Sequence, residues 1–171
     1  MKLFHFSEDP KITYFEPHVP KTNSKEQPFV WVIDEEHAPH YYFPRECPRV
    51  AFWSSSETTR EDLNRFFGHT PVNRIIAIET TWLKRIRETE LYAYTLPSET
   101  FECLDANAGY YVSRKAVNPI SVEPVGDLLD RLVETNIELR ITPSLWKLHD
   151  EIISSSVSFS IIRMRNASSD I

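Results

Sequence analysis

Residues 28–53 read PFVWVIDEEHAPHYYFPRECPRVAFW. FVWVI, over 29–33, is an unbroken apolar, β-rich run and predicts a central strand. Asp34 follows it with a side chain suited to capping. Pro39 falls where a first helical turn tolerates it, so HYYF becomes a short helix that Pro44 ends. RVAFW, over 49–53, predicts a second strand. The stretch is therefore strand, rigid polar turn, strand. Pro39, Pro44 and Pro48 stiffen a segment that carries two His, two Tyr and two Arg.

Working outward, KLFHF over 2–6 predicts a first strand. Residues 7–28 contain Pro10, Pro17, Pro20 and Pro28 and predict a long ordered loop. Ile12, Tyr14, Phe15 and Val19 give that loop something to pack with. Downstream, Thr58-Thr59-Arg60-Glu61 matches a capping box, and Gly68 ends the helix it opens. Strands are expected over 74–79, 91–96, 101–104, 110–113, 120–123 and 139–141. Helices are expected over 80–87, over 125–134 and from Ser144 through Ile153. Residues 157–164 fit neither period cleanly. The fold class is α+β, with mixed, mostly antiparallel β-sheets and short dispersed helices, in a single domain over 1–171.

With 41% hydrophobic residues, the 171-residue chain can bury a core. The net charge of -6 argues against non-specific nucleic-acid binding, which needs a basic footprint. Gly68, Gly109 and Gly126 are the only glycines, so neither a phosphate-cradling P-loop nor a GxGxxG turn can form. Cys47 and Cys103 show no zinc-ligand spacing. No apolar stretch near Met1 has secretory character, and no run reaches the roughly 18 residues of a membrane span. The expectation is a cytoplasmic protein without membrane contact.

The blocks HFSEDP, HAPHYYFPR and IIRMRNA resemble an uncharacterised family of small bacterial proteins. A looser resemblance is to the ADP-ribosyltransferase fold. It rests on a first strand with His5 in LFHFS, on FVWVID leading into HYYF, and on LYAYTLPSETFE, YYVSRKAV and PISVEPV. That resemblance implies a cleft in which His5 holds the nicotinamide ribose of NAD. Tyr41 or Tyr42 would stack on the nicotinamide, and Glu123 or Ser113 would assist transfer. The related RNA 2′-phosphotransferases imply phosphate-holding parts for Arg45, Arg49 and Arg114.

The residues carry their own arguments. Neutral imidazole is a good partner for ribose hydroxyls, and His5 sits between two apolar neighbours in its strand. If Phe4 and Phe6 face the core, His5 faces the other side of the sheet. His37 and His40, with Asp34 before them, are donors zinc accepts, but Pro39 interrupts the spacing and no metal is assigned. One of the two His is read as pocket-lining together with the tyrosines, and the other as solvated. Arg45 and Arg49 either fork a phosphate or neutralise Glu46 and the acidic run over 34–36. Cys47 is read as packing, the four tryptophans as core, and Lys147, Arg163 and Arg165 as a solvated basic face. The candidate site is His5, Tyr42 and Glu123 for chemistry, with His40, Tyr41, Arg45, Arg49, Ser113 and Arg114 for binding. The function expected is recognition of a nucleotide-type or other small anionic ligand, with NAD-dependent transfer implied by the resemblance. The alternative is a non-catalytic binding or interaction module on the same fold.

Overall fold

The computed structural model describes residues 1–19 and 27–169, so part of the loop expected over 7–28 lies outside the described residues. In chain order the first elements are β1 (Leu3–Ser7), β2 (Val30–Asp34), β3 (Arg49–Trp53), α1 (Arg60–Phe67), β4 (Arg74–Glu79) and α2 (Leu83–Glu88). Then come β5 (Tyr92–Leu96), β6 (Glu102–Asp105), β7 (Tyr110–Ser113), β8 (Ser121–Pro124), α3 (Leu128–Val133), β9 (Glu138–Thr142), α4 (Trp146–Ile153) and β10 (Ser158–Ile162). Short 3-10 turns cover Ala38–Tyr41, Thr80–Trp82 and Met164–Asn166. The architecture is α+β with mostly antiparallel sheets, as the dispersed short elements predict. The described residues fall into two compact units, Met1–Tyr42 with Glu90–Gly126, and Phe43–Thr89 with Asp127–Ile171.

The first unit is a six-stranded antiparallel sheet in the order β6-β7-β2-β1-β5-β8. Antiparallel partners share a face, and successive residues alternate faces. The register pairs Leu3 with Leu96, His5 with Tyr94 and Tyr94 with Val122, which puts all of these on one face. That face carries the core of the unit: Leu3, Phe15, Val30, Val32, Tyr94, Leu96 and Val117. Phe15 reaches it because its backbone bridges Val117, so the loop after β1 is tied down. The Tyr94 hydroxyl donates to the Asp9 carbonyl at 2.6 Å and accepts the Ile12 amide at 3.1 Å, which fixes the same loop from below. Phe4 and Phe6 take the opposite face. The geometry is thus the reverse of the conditional reading: His5 is on the core side.

The second unit is a four-stranded sheet in the order β10-β3-β4-β9, in which only β4 and β9 run parallel. β3 and β4 are buried along their whole length, as their unbroken apolar sequences require. Val50, Phe52, Ile75 and Ala77 form one layer with Phe66 and Phe67 of α1 and with Leu145 and Ile152 at α4.

Several local expectations shift. The α1 cap is Thr59, whose hydroxyl accepts the Asp62 amide at 3.2 Å; Thr58 is diverted to accept from the Ser55 amide at 2.9 Å. The helix expected from Val125 starts later. Gly126 adopts φ 86, which no right-handed helix contains, and Asp127 caps α3 by accepting from Leu129 and Asp130. Val125 instead extends the sheet through the Leu91 carbonyl. Of the tryptophans, Trp53 is buried, while Trp31, Trp82 and Trp146 are half-buried. Arg163 and Arg165 are not simply solvated, since both pair with Glu46, at 3.7 and 3.1 Å.

Candidate functional site

His5 occupies the middle of β1, flanked by β2 and β5. Its ring lies 4.8 Å from that of Phe15, centroid to centroid. Its Nδ1 is 3.2 Å from the main-chain carbonyl of Trp31. A carbonyl can only accept, so Nδ1 carries the proton in this contact. In the neutral ring Nε2 then holds the lone pair, and the tautomer suits accepting a hydrogen bond from a hydroxyl. Ser113 belongs to the same face, paired with Val30. Its hydroxyl is engaged with Thr100 at 3.0 Å, with the Lys115 carbonyl at 3.1 Å and with the Lys115 amide at 3.1 Å, which describes a turn anchor.

The remaining candidates of this unit gather on the opposite face. Tyr42 packs edge-on against Phe6 at 5.5 Å. The Tyr41 hydroxyl shares a 2.7 Å hydrogen bond with that of Tyr110, and Tyr110 packs edge-on against Trp31 at 6.0 Å. The Arg114 guanidinium stacks over Phe29 at 5.5 Å. Glu123 pairs with Ala93, which pairs with Phe6, so its exposed carboxylate projects from this face too. The sheet thus brings Tyr41, Tyr42, Arg114 and Glu123 to one side and leaves His5 and Ser113 on the other.

A third feature was missed by sequence reasoning. The Asp34 carboxylate accepts the His37 amide at 2.9 Å and the His37 Nδ1–H at 2.7 Å. Both partners are well enclosed, with side-chain exposures of 20% and 5%. Gly109 closes over them with φ 74. A Cβ there would sit 2.3 Å from His37 Nδ1 and 2.7 Å from the nearer Asp34 oxygen. The Gly109 carbonyl also accepts the Asp34 amide at 3.0 Å. His40 is buried in the 3-10 turn, with its ring 5.5 Å from that of His37. Glycine scarcity was the available signal: a glycine just before a strand, in a chain with three, marks a backbone position that tolerates nothing larger. Among the described residues no group of three or more His, Cys, Asp or Glu is placed to hold a metal ion.

Arg45 and Arg49 belong to the second unit. Arg45 is exposed, and its carbonyl accepts from Arg163 at 3.3 Å. Arg49 is buried to 1% exposure; it donates to the Cys47 carbonyl at 2.7 Å and lies 5.2 Å from the centre of the Phe43 ring. Glu46 pairs with Arg163 and Arg165. Hydrogen bonding from Asn166, aided by the two arginines, lowers the Glu46 carboxyl below its ordinary range. Burial pushes the Cys47 thiol up to about 12, with Glu79 adding to the rise against Arg49 and Arg85. Such a thiol is protonated at neutral pH and is no nucleophile.

Two open recesses occur in the first unit. One, of about 310 Å³, lies between residues 10–13 and 118–122 and holds Lys11 and Val122. Val122 shares the His5 face, so this recess opens at the β8 end of that face. The other, of about 450 Å³, is bounded by Met1, Lys2, Asp34, Glu35 and Glu36, with Lys2 paired to Glu35 at 3.7 Å. No helix among the described residues is long and apolar enough to cross a membrane.

Comparison with known proteins gives a family and nothing narrower. No curated protein and no solved structure matches the chain. The model of a family of unknown function, DUF6886, matches residues 4–167, and the chain belongs to that family.

Proposed function

We propose that the first unit is an ADP-ribosyltransferase-like binding module for a nucleotide-type or other small anionic ligand, held on the His5 face. The observation that carries this reading is the His5–Trp31 contact. It supports an imidazole with a set tautomer, on the central strand of a tied-down sheet, suited to a ribose hydroxyl. Lys11, in the recess at the end of the same face, supplies a cation for a phosphate.

Between binding and transfer, binding is the better supported. Tyr42 and Glu123, the expected partners of His5 in chemistry, project from the other face of the sheet. General acid–base work requires partners within hydrogen-bond reach of one reacting centre. NAD therefore enters as a ligand to test.

Calorimetric titration with NAD tests the reading on the unsubstituted protein and on His5→Ala. Saturable heat is expected from the first, with affinity falling roughly tenfold in the variant, as loss of one hydrogen bond implies. Absence of heat from both removes NAD. Equal affinity in both removes His5 from the site.

A further inference from the structure

The second unit contains a device independent of the proposed ligand site. β10 ends at Ile162, and Arg163 takes φ 57 and ψ 29, a left-handed conformation unusual outside glycine. The chain then passes through the 3-10 turn Met164–Asn166 to Ser168. None of residues 163–169 is buried, whereas Cys47 and Glu79 have no exposure at all.

The segment is fastened at two points. Asn166 Nδ2 donates to the Glu46 carbonyl at 2.7 Å and to its Oε2 at 2.9 Å, and Arg165 joins that oxygen at 3.1 Å. Two residues on, the Ser168 amide donates to both Glu79 oxygens, at 3.1 and 2.9 Å, and its hydroxyl donates to Oε2 at 3.0 Å. Trp146 Nε1 holds the Ser168 carbonyl at 2.7 Å. Ser168 thus gives the buried Glu79 carboxylate three hydrogen bonds. Cys47 follows Glu46 in the chain, on the stretch leading into Arg49, which pairs with Ile162 at the root of the segment. Met164 alone packs partly against the apolar core. A segment held by discrete polar bonds, with little apolar burial, belongs to the low end of local stability and opens without unfolding the sheet beneath.

We propose that residues 163–168 are a hinged strap that closes over Cys47 and Glu79 and opens as a unit about Arg163 while the four-stranded sheet stays folded. The strap gates solvent access to a thiol and a carboxylate that the closed state seals off.

The test uses a Cys103→Ser background, in which Cys47 is the one thiol, and follows its reaction with 5,5′-dithiobis(2-nitrobenzoate). Ser168→Pro removes both donors to Glu79 at once. Ala167, at φ -66 and ψ 150, already has the conformation that a residue before proline prefers. Labelling of Cys47 is expected to accelerate roughly tenfold or more, since charge-assisted hydrogen bonds are lost, and to do so below the melting transition. Labelling at the parent rate overturns the strap, as does acceleration that merely tracks global unfolding. On the unsubstituted chain, hydrogen exchange gives a second reading. Residues 163–169 are expected to exchange well before β3 and β4. Exchange of all three in step overturns the proposal.

Discussion

Gly109→Ala offers the sharpest structural prediction, because Gly126→Ala supplies its control in the same unit. Both glycines have positive φ, 74 and 86. Placing an L-residue in that region costs about 1–2 kcal/mol, partly offset by about 0.4–1 kcal/mol from a stiffer unfolded chain. At Gly126 nothing lies within 4 Å of the added Cβ, so the net cost is roughly 0–1.5 kcal/mol. At Gly109 the Cβ meets His37 Nδ1 at 2.3 Å and the Asp34 carboxylate at 2.7 Å, and the 2.7 Å bond between them must give way. A hydrogen bond to a charged group contributes about 1.5–3 kcal/mol, so Gly109→Ala should cost about 1.5–3 kcal/mol more than its control. For a chain of this size that corresponds to a melting temperature lower by roughly 5–10 °C. Thermal denaturation followed by circular dichroism reads the difference. Equal melting of the two variants would refute the claim that Gly109 exists to admit the Asp34–His37 pair.

Other outcomes follow from the same geometry. In the native protein at pH 8 a thiol reagent should titrate the exposed Cys103 promptly and Cys47 far more slowly, with both prompt in denaturant, because burial holds Cys47 protonated. Phe15→Ala should destabilise by about 3–5 kcal/mol in chemical denaturation, since it strips the His5 face of its cover. Asp62 and Glu138 are held below their ordinary carboxyl values, chiefly by hydrogen bonds from Ser156 and Thr70 respectively. A depressed carboxyl contributes stability that is present above its unfolded value and lost as pH falls through the folded one. Stability should therefore fall with acidification below about pH 4, and Ser156→Ala should flatten the Asp62 part of that slope.

Much of the secondary structure is legible because its signals are local. RVAFW and RIIAIE are apolar enough to be central strands whatever surrounds them, and they are. The short helix expected over HYYF forms two residues earlier, as a 3-10 turn at Ala38–Tyr41 that takes in Pro39, with the preceding His37 amide held by the Asp34 carboxylate. What escaped the sequence depends on register and topology. One residue of offset decides which face His5 takes, and the flanking phenylalanines look equally fit for either. Tyr42 and Glu123 are separated from His5 by a sheet that no sequence spacing reveals. The Arg163 and Arg165 pairing with Glu46 joins residues more than a hundred positions apart, beyond any local pattern.

Backbone ¹H–¹⁵N correlation spectra recorded during an NAD titration test the central claim most directly, because they locate binding as well as detect it. Perturbations concentrated in β1 around His5, in the loop at Lys11 and Phe15, and at Val122 are the predicted result. Perturbations confined to Tyr41, Tyr110 and Arg114 on the opposite face, or none at all at saturating nucleotide, would contradict it.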